Sequence, residues 1–298
     1  VTVGRIVLVA GVLILLFIPY LLWGTGLKTA HSQSVLRTEF AKAQHRADTS
    51  TPKTPPAHAV LVARVAPRIA PPPLGSPVGT ITIPEIDLSM VVVEGTGDAQ
   101  LQAGPGHYPG TPLPGERGNA AIAGHRTTYL HPFYNLNELV PGDPITIETV
   151  QGIFLYHVTG SEAVPPTDVS VVDPTRRPML TLTTCNPRFS ASQRLVVHAV
   201  LVGSIIATTK PHATRTVTSD PAPVSSAAAD TSATPPHDWT AAILWGLLVA
   251  ALTIVVWAWE RRVHGLRRVA VSVGGVLVWL VAVFFFFEVV APLLPASY

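Results

Sequence analysis

The chain has 298 residues, of which 48% are hydrophobic, 13% are charged and one is a cysteine, and its mean hydropathy is +0.39. A composition this apolar points to membrane segments, and the lone Cys185 excludes an intrachain disulfide framework and any multi-cysteine zinc or iron–sulfur site. The net charge of +2 is unevenly spread: residues 1–77 carry eight Lys/Arg against two acids, 78–206 six against eleven, and 207–298 six against five. An acidic middle offers no basic surface to phosphates, so a nucleic-acid partner is excluded.

In chain order, residues 5–23 are expected to form an N-terminal transmembrane anchor. About 20 apolar residues rising 1.5 Å each cross a ~30 Å hydrocarbon core, and the run is broken only by Gly11 and Pro19. A signal peptide is the alternative, but the run ends in Leu21-Leu22-Trp23 and lacks a small-x-small cleavage site. Valine at position 1 points to an alternative start codon or a missing N-terminus. Residues 24–77 read as a Pro/Ala/Thr-rich extracellular linker. Within it, 28–46 lacks proline and could place Val35, Leu36 and Phe40 on one side of a helix, yet a solvated stalk is the expected reading.

Residues 78–206 have a different texture. Short β-branched runs at 78–83, 90–94, 120–123, 144–148, 152–158, 179–184 and 194–202 are separated by turns such as Pro141-Gly142-Asp143-Pro144. Seven or eight strands with almost no helical periodicity predict a mainly β domain, a mostly antiparallel barrel or sandwich with a short helix near 133–139. A disordered linker is expected at 207–238, then transmembrane helices at 239–259 and 269–294 around an Arg-rich loop at 260–268. Four arginines in that loop place it in the cytoplasm by the positive-inside rule. The N-terminus is then cytoplasmic, the middle of the chain extracellular, and the protein a three-span multi-pass membrane protein. Glu288, near the end of the last run, is read as reaching the interface.

Cys185 ends the strand Leu180-Thr181-Leu182-Thr183-Thr184-Cys185, and after a turn beginning Asn186-Pro187 the chain returns as Arg194-Leu195-Val196-Val197-His198. The connection is short enough for an adjacent antiparallel pair, which sets Arg194 across from Cys185. A guanidinium close to sulfur favours thiolate and can hold a carbonyl or its oxyanion. A thiol nucleophile also needs a proton carrier, usually histidine. His125 follows the apolar strand Ala120-Ala121-Ile122-Ala123 through Gly124, a place suited to a cleft. His107, His131, His157 and His198 read as surface or sheet residues.

At these residues the chain resembles the sortase family. The segment from Pro114 to Arg126 resembles the family's histidine motif, Thr181-Leu182-Thr183-Thr184-Cys185 its TLxTC signature, and Arg194 its arginine. The opening Gly79-Thr80-Ile81-Thr82-Ile83-Pro84 is similar to its first strand. The run His125-Arg126-Thr127-Thr128-Tyr129 is similar to class E sortases, which favour LAxTG-type over LPxTG-type signals. The resemblance implies an eight-stranded sortase-type β-barrel with short helices and a cysteine transpeptidase. Cys185 would attack the Thr–Gly carbonyl, His125 carry the proton and Arg194 stabilise the oxyanion, while Tyr129, Thr128 and Thr184 would contact the signal. Implied partners are secreted proteins bearing C-terminal sorting signals, a cell-wall precursor or pilin amine as acceptor, and the membrane; no cofactor or metal is expected. A pilin-polymerising sortase and a non-catalytic scaffold are the alternatives. An L,D-transpeptidase is disfavoured, because its cysteine normally lies in a Ser-His-Gly-Cys-like context. The C-terminal helical pair departs from the usual single anchor, and no Asp-Pro-aromatic lid element precedes the barrel.

Overall fold

The computed structural model describes residues 11–17, 20, 24–49, 64–206, 239–260 and 266–290. The chain divides into two units, one of residues 22–232 and the other of 1–21 with 233–296.

In the first unit, strands β1 (Pro77–Ile83), β2 (Leu88–Glu94), β3 (Gly106–His107), β4 (Asn119–Ala123), β5 (Pro144–Thr149), β6 (Gly152–Val164), β7 (Met179–Asn186) and β8 (Gln193–Ile206) form a closed barrel ordered β1-β2-β3-β4-β7-β8-β6-β5. Period two builds it: Ile81 and Ile83, Ile145 and Ile147, Leu180 and Leu182, and Val197 and Ala199 all point into one core and are fully buried. The pairs are antiparallel except β2–β3 and β4–β7, which are parallel.

The eight-stranded barrel with short helices is the expected architecture. Two elements were not legible: the two-residue β3, too short to alternate, and a single-turn helix, here α2 (Asp98–Ala103). The expected helix near 133–139 is reduced to a 3-10 turn at Leu136–Glu138. β6 runs on to Val164 because β8 pairs with it as far as Arg194.

The solvated stalk is not what the structure shows. Residues Thr25–Thr49 form one helix, α1, docked on the barrel. The reason lies in β2, whose Met90 and Val92 enter the core while Val91 and Val93, on the opposite face, are also fully buried. A strand apolar on both faces needs cover outside as well, and Leu36 of α1 supplies it. Gln33 fixes the dock: the Val91 N–H donates to Gln33 Oε1 at 2.8 Å, and Gln33 Nε2 donates to the Val91 carbonyl at 3.0 Å and to the Ala103 carbonyl at 2.9 Å. Thr29 Oγ1 donates to the Gln102 carbonyl at 2.8 Å. Farther along the expected linker, Ala66 joins the barrel core and its N–H donates to the Gly115 carbonyl.

In the second unit, α3 (Trp239–Glu260) and α4 (Leu266–Val290) gather with Leu13, Leu16, Phe17 and Tyr20 around Val249, Ala282, Val283 and Phe287. Among the described residues no helix is long and apolar enough to cross a membrane. That finding overturns the expected three transmembrane helices and the three-span location built on them. Residues 5–10, 18–19 and 21–23 of the first expected span, the 207–238 linker, and 261–265 of the arginine loop lie outside the described residues.

Replacing Gln33 with Leu keeps most of the volume but strands the buried N–H and C=O of Val91. The substitution is expected to cost about 2–3 kcal/mol, read as a lower urea midpoint at unchanged slope.

Candidate active site

The phase of three strands sets the site. On β7, Leu180 and Leu182 face the core, so Thr181, Thr183 and Cys185 face outward; on β4, Ala120 and Ile122 face the core, so Ala121 and Ala123 face outward. On β8, Leu195, Val197 and Ala199 face the core, leaving Arg194 in the outward phase. The register then aligns them. Cys185 pairs directly with Arg194, as the short β7–β8 connection predicts. On the other side Ala123 pairs with Thr183 in parallel, and the Gly124 N–H donates to the Thr183 carbonyl at 3.0 Å. The parallel pairing thereby brings the segment that follows β4, with His125, to the end of β7 that bears Cys185. Cys185 thus sits on the middle strand of three, with His125 to one side and Arg194 to the other.

The backbone around His125 is held closely. Gly124 lies in the core-facing phase, where a Cβ would come within 2.6 Å of Phe133. Phe133 is fully buried, and its N–H donates to the His125 carbonyl at 3.1 Å. Thr184 Oγ1 donates to the Gly124 carbonyl at 2.7 Å. With its side chain buried and its hydroxyl so engaged, Thr184 ties the two strands together. Tyr129 packs its ring on His125, with centroids 4.9 Å apart. Thr128 is buried, and its Oγ1 has no hydrogen-bond partner among the described residues.

Arg126 is the residue that sequence reasoning passed over. Only 4% exposed, it donates through Nη1 to the Cys185 carbonyl at 3.0 Å and to Asn186 Oδ1 at 2.6 Å, and through Nη2 to Asn137 Oδ1 at 2.8 Å. A guanidinium inside the protein needs such acceptors. The available signal was its place directly after His125, but Asn137 and Asn186 are distant in sequence. Arg188 shares Asn137 and lies over the Tyr134 ring at 4.0 Å. Arg194 instead turns Nη1 to the carbonyls of Ala191 and Gln193, each at 3.2 Å.

Burial pulls His125 from its ordinary 6.5 down to about 4. It pushes the Cys185 thiol above its ordinary 9.0, a rise that the positive charges of Arg194 and Arg126 oppose. At neutral pH the site therefore holds a thiol and an uncharged imidazole. A neutral imidazole can accept the thiol proton as sulfur attacks a carbonyl, then return it to a leaving amine.

Between pH 4 and 6.5 the unfolded chain binds a proton at this histidine that the folded chain refuses, so stability falls as pH drops through that window. Urea midpoints measured across it are expected to show this slope, and His125→Gln to remove it. Alkylation of Cys185 by iodoacetamide is expected to keep accelerating above pH 9, because the thiol titrates above 9.0.

A family model described as the sortase domain matches residues 81–202. Sortase SrtE1 of Streptomyces coelicolor is 32% identical over 221 residues, 67% of this chain and 56% of its own length. The YwpE protein of Bacillus subtilis is 31% identical over 88 residues, covering 29% of this chain and 86% of that one. Among solved structures, sortase E1 of S. coelicolor with a tripeptide in its active site is 33% identical, with a TM-score of 0.42 over 47% of this chain and 96% of that one. The chain spans 54–58% of the length of three curated relatives, SrtE1, a B. subtilis sortase D and a Listeria monocytogenes sortase A. The eight-stranded barrel, the sortase-domain match and the similarity to YwpE assign the chain to the sortase family, whose members are cysteine transpeptidases.

Proposed function

We propose that this chain cleaves a sorting signal of the LAxTG/LPxTG type between Thr and Gly and transfers the acyl protein to an amine of the cell wall. The observation that carries the reading is the register: Cys185 and Arg194 pair in one outward phase at one end of β7 and β8, and the parallel β4–β7 pair brings the segment after β4, with His125, to that same end. Cys185 Sγ attacks the Thr carbonyl carbon while its proton passes to His125. The tetrahedral oxyanion is met by the guanidinium of Arg194, which leaves its loop carbonyls to do so. Collapse expels the glycine amine, protonated by His125, and leaves a thioacyl bond on Cys185. An incoming amine then gives its proton to His125 and displaces the sulfur, and His125 returns that proton to the departing thiolate, so that the neutral imidazole and thiol are restored and no net proton is gained or lost.

Arg126 has a positioning part in this scheme. Its bonds to the Cys185 carbonyl and to Asn186 anchor the residue that carries the nucleophile. The buried, unpartnered Thr128 Oγ1 and the Tyr129 ring beside His125 are suited to receive the backbone of the signal. Class E is the favoured subclass, supported by the run from His125 to Tyr129 and by the similarity to S. coelicolor SrtE1.

Mass spectrometry after incubation with LAxTG and LPxTG peptides is expected to show an acyl adduct on Cys185, released by a small amine. Cys185→Ala is expected to abolish it. His125→Ala is expected to lower kcat/KM by about 10²–10⁴, and Arg194→Ala by about 10²–10³. Absence of an adduct with every peptide of both types, or turnover retained in Cys185→Ala, would sink the reading.

A further inference from the structure

The segment after His125 carries unusual backbone geometry. Tyr129, Leu130 and His131 have φ of +53°, +61° and +37°, three consecutive non-glycine residues in the left-handed region. Each such residue costs on the order of 1 kcal/mol, so the run persists only where its surroundings enforce it. One of the elements enforcing it is α1. Thr25, in its first turn and only 2% exposed, accepts a hydrogen bond on Oγ1 from the Tyr129 N–H at 3.3 Å. Gly26 lies against Leu130: a Cβ there would stand 3.0 Å from Leu130 Cδ2. Within the strained segment the His131 N–H closes onto the Thr128 carbonyl at 2.8 Å.

The contact can transmit position because α1 is itself fixed. Thr29 and Gln33 bind backbone carbonyls at 102, 91 and 103, and farther along the helix Gln44 Nε2 donates to Glu148 Oε1 at 2.7 Å. At the other end of the chain of contacts, the Tyr129 ring lies 4.9 Å from the His125 ring. The path therefore runs from the barrel wall through α1 to Thr25, Tyr129 and the imidazole.

We propose that Thr25 and Gly26, in the first turn of α1, are positioning residues for His125: they hold Tyr129–His131 in its left-handed conformation and so keep the Tyr129 ring against the imidazole. This rests on the reading of His125 as the proton carrier and extends the machinery of the site to a helix outside the barrel. Thr25 touches neither substrate nor sulfur in this scheme. Its effect reaches the chemistry through Tyr129, whose ring helps keep water from the imidazole and thereby keeps it uncharged.

The test uses the full-length chain with Thr25→Val, which keeps the shape and removes the acceptor, and Thr25→Ser, which restores the acceptor. In Thr25→Val the Tyr129 amide is expected to exchange with deuterium at least about tenfold faster. His125, followed by NMR, should titrate upward from about 4 toward 6.5, and kcat for acyl transfer should fall about tenfold to a hundredfold with little change in KM. Thr25→Ser should recover all three. Gly26→Ala, which crowds Leu130 while leaving the hydroxyl, provides a second variant and should shift the same exchange and titration in the same direction. Amide exchange and His125 titration unchanged from wild type in both Thr25→Val and Gly26→Ala would overturn the proposal. So would a loss in Thr25→Val that Thr25→Ser does not recover. The exchange and titration arms need no peptide substrate, so failure of the sortase reading, seen as no acyl adduct on wild-type Cys185, stays distinguishable from failure of this one.

Discussion

Parallel pairing of β4 with β7 is the constraint on which the site depends. Parallel strands end at the same side of a sheet, so the residue after β4 and the last residues of β7 emerge together. An antiparallel pair in this place would carry His125 and Cys185 to opposite ends. The antiparallel β7–β8 turn then brings Arg194 back to the same end from the other side. The barrel needs both kinds of pairing to assemble three residues drawn from positions 125, 185 and 194. The long excursion through β5 and β6 between β4 and β7 is the connection that parallel pairing requires, and it also closes the barrel.

The electrostatics of the site follow from how it is covered. The Tyr129 ring packs on the half-buried imidazole, and burial disfavours its charge as well as that of the thiol. Two arginines act against that tendency at sulfur without cancelling it. They differ in what they are free to do. Arg126 is committed to the Cys185 carbonyl and two asparagine side chains, whereas Arg194 is held, among the described residues, by the neighbouring carbonyls of Ala191 and Gln193 at 3.2 Å. The first arrangement suits a fixed support and the second a group that moves onto a developing charge.

Cover from outside the barrel is the other theme. β2 has the sequence Leu88-Ser89-Met90-Val91-Val92-Val93-Glu94, apolar on both faces, and a strand of that kind cannot stand against solvent. α1 shields its outer face with Leu36 and satisfies Val91 with the side-chain amide of Gln33. The same helix, placed by that need, reaches the segment beside His125 at its first turn. A demand of packing and a demand of the site are thus met by one element.

Strand phase, the Cys185–Arg194 register and the mainly β class were legible in the sequence, because side chains on strands alternate with a period of two and an eight-residue connection leaves few choices of pairing; the choice of barrel over sandwich came from the resemblance to the sortase family. Candidate chemistry was legible too, since a lone cysteine at a strand end and a histidine after Ala-Gly stand out from their neighbours. What hydropathy alone could not determine was what covers what. The same apolar runs that predicted three spans yield, among the described residues, no helix long and apolar enough to cross a membrane. The stretch read as a stalk is a docked helix, because its few apolar and amide side chains are matched to β2 and not to a periodic stripe of their own. The burial of Arg126 and the tie made by Thr184 likewise depend on partners about 60 residues distant. Local pattern determined which residues face inward and which strands could pair; only the tertiary structure decided which outward faces are covered, because that depends on long-range complementarity that no local period records.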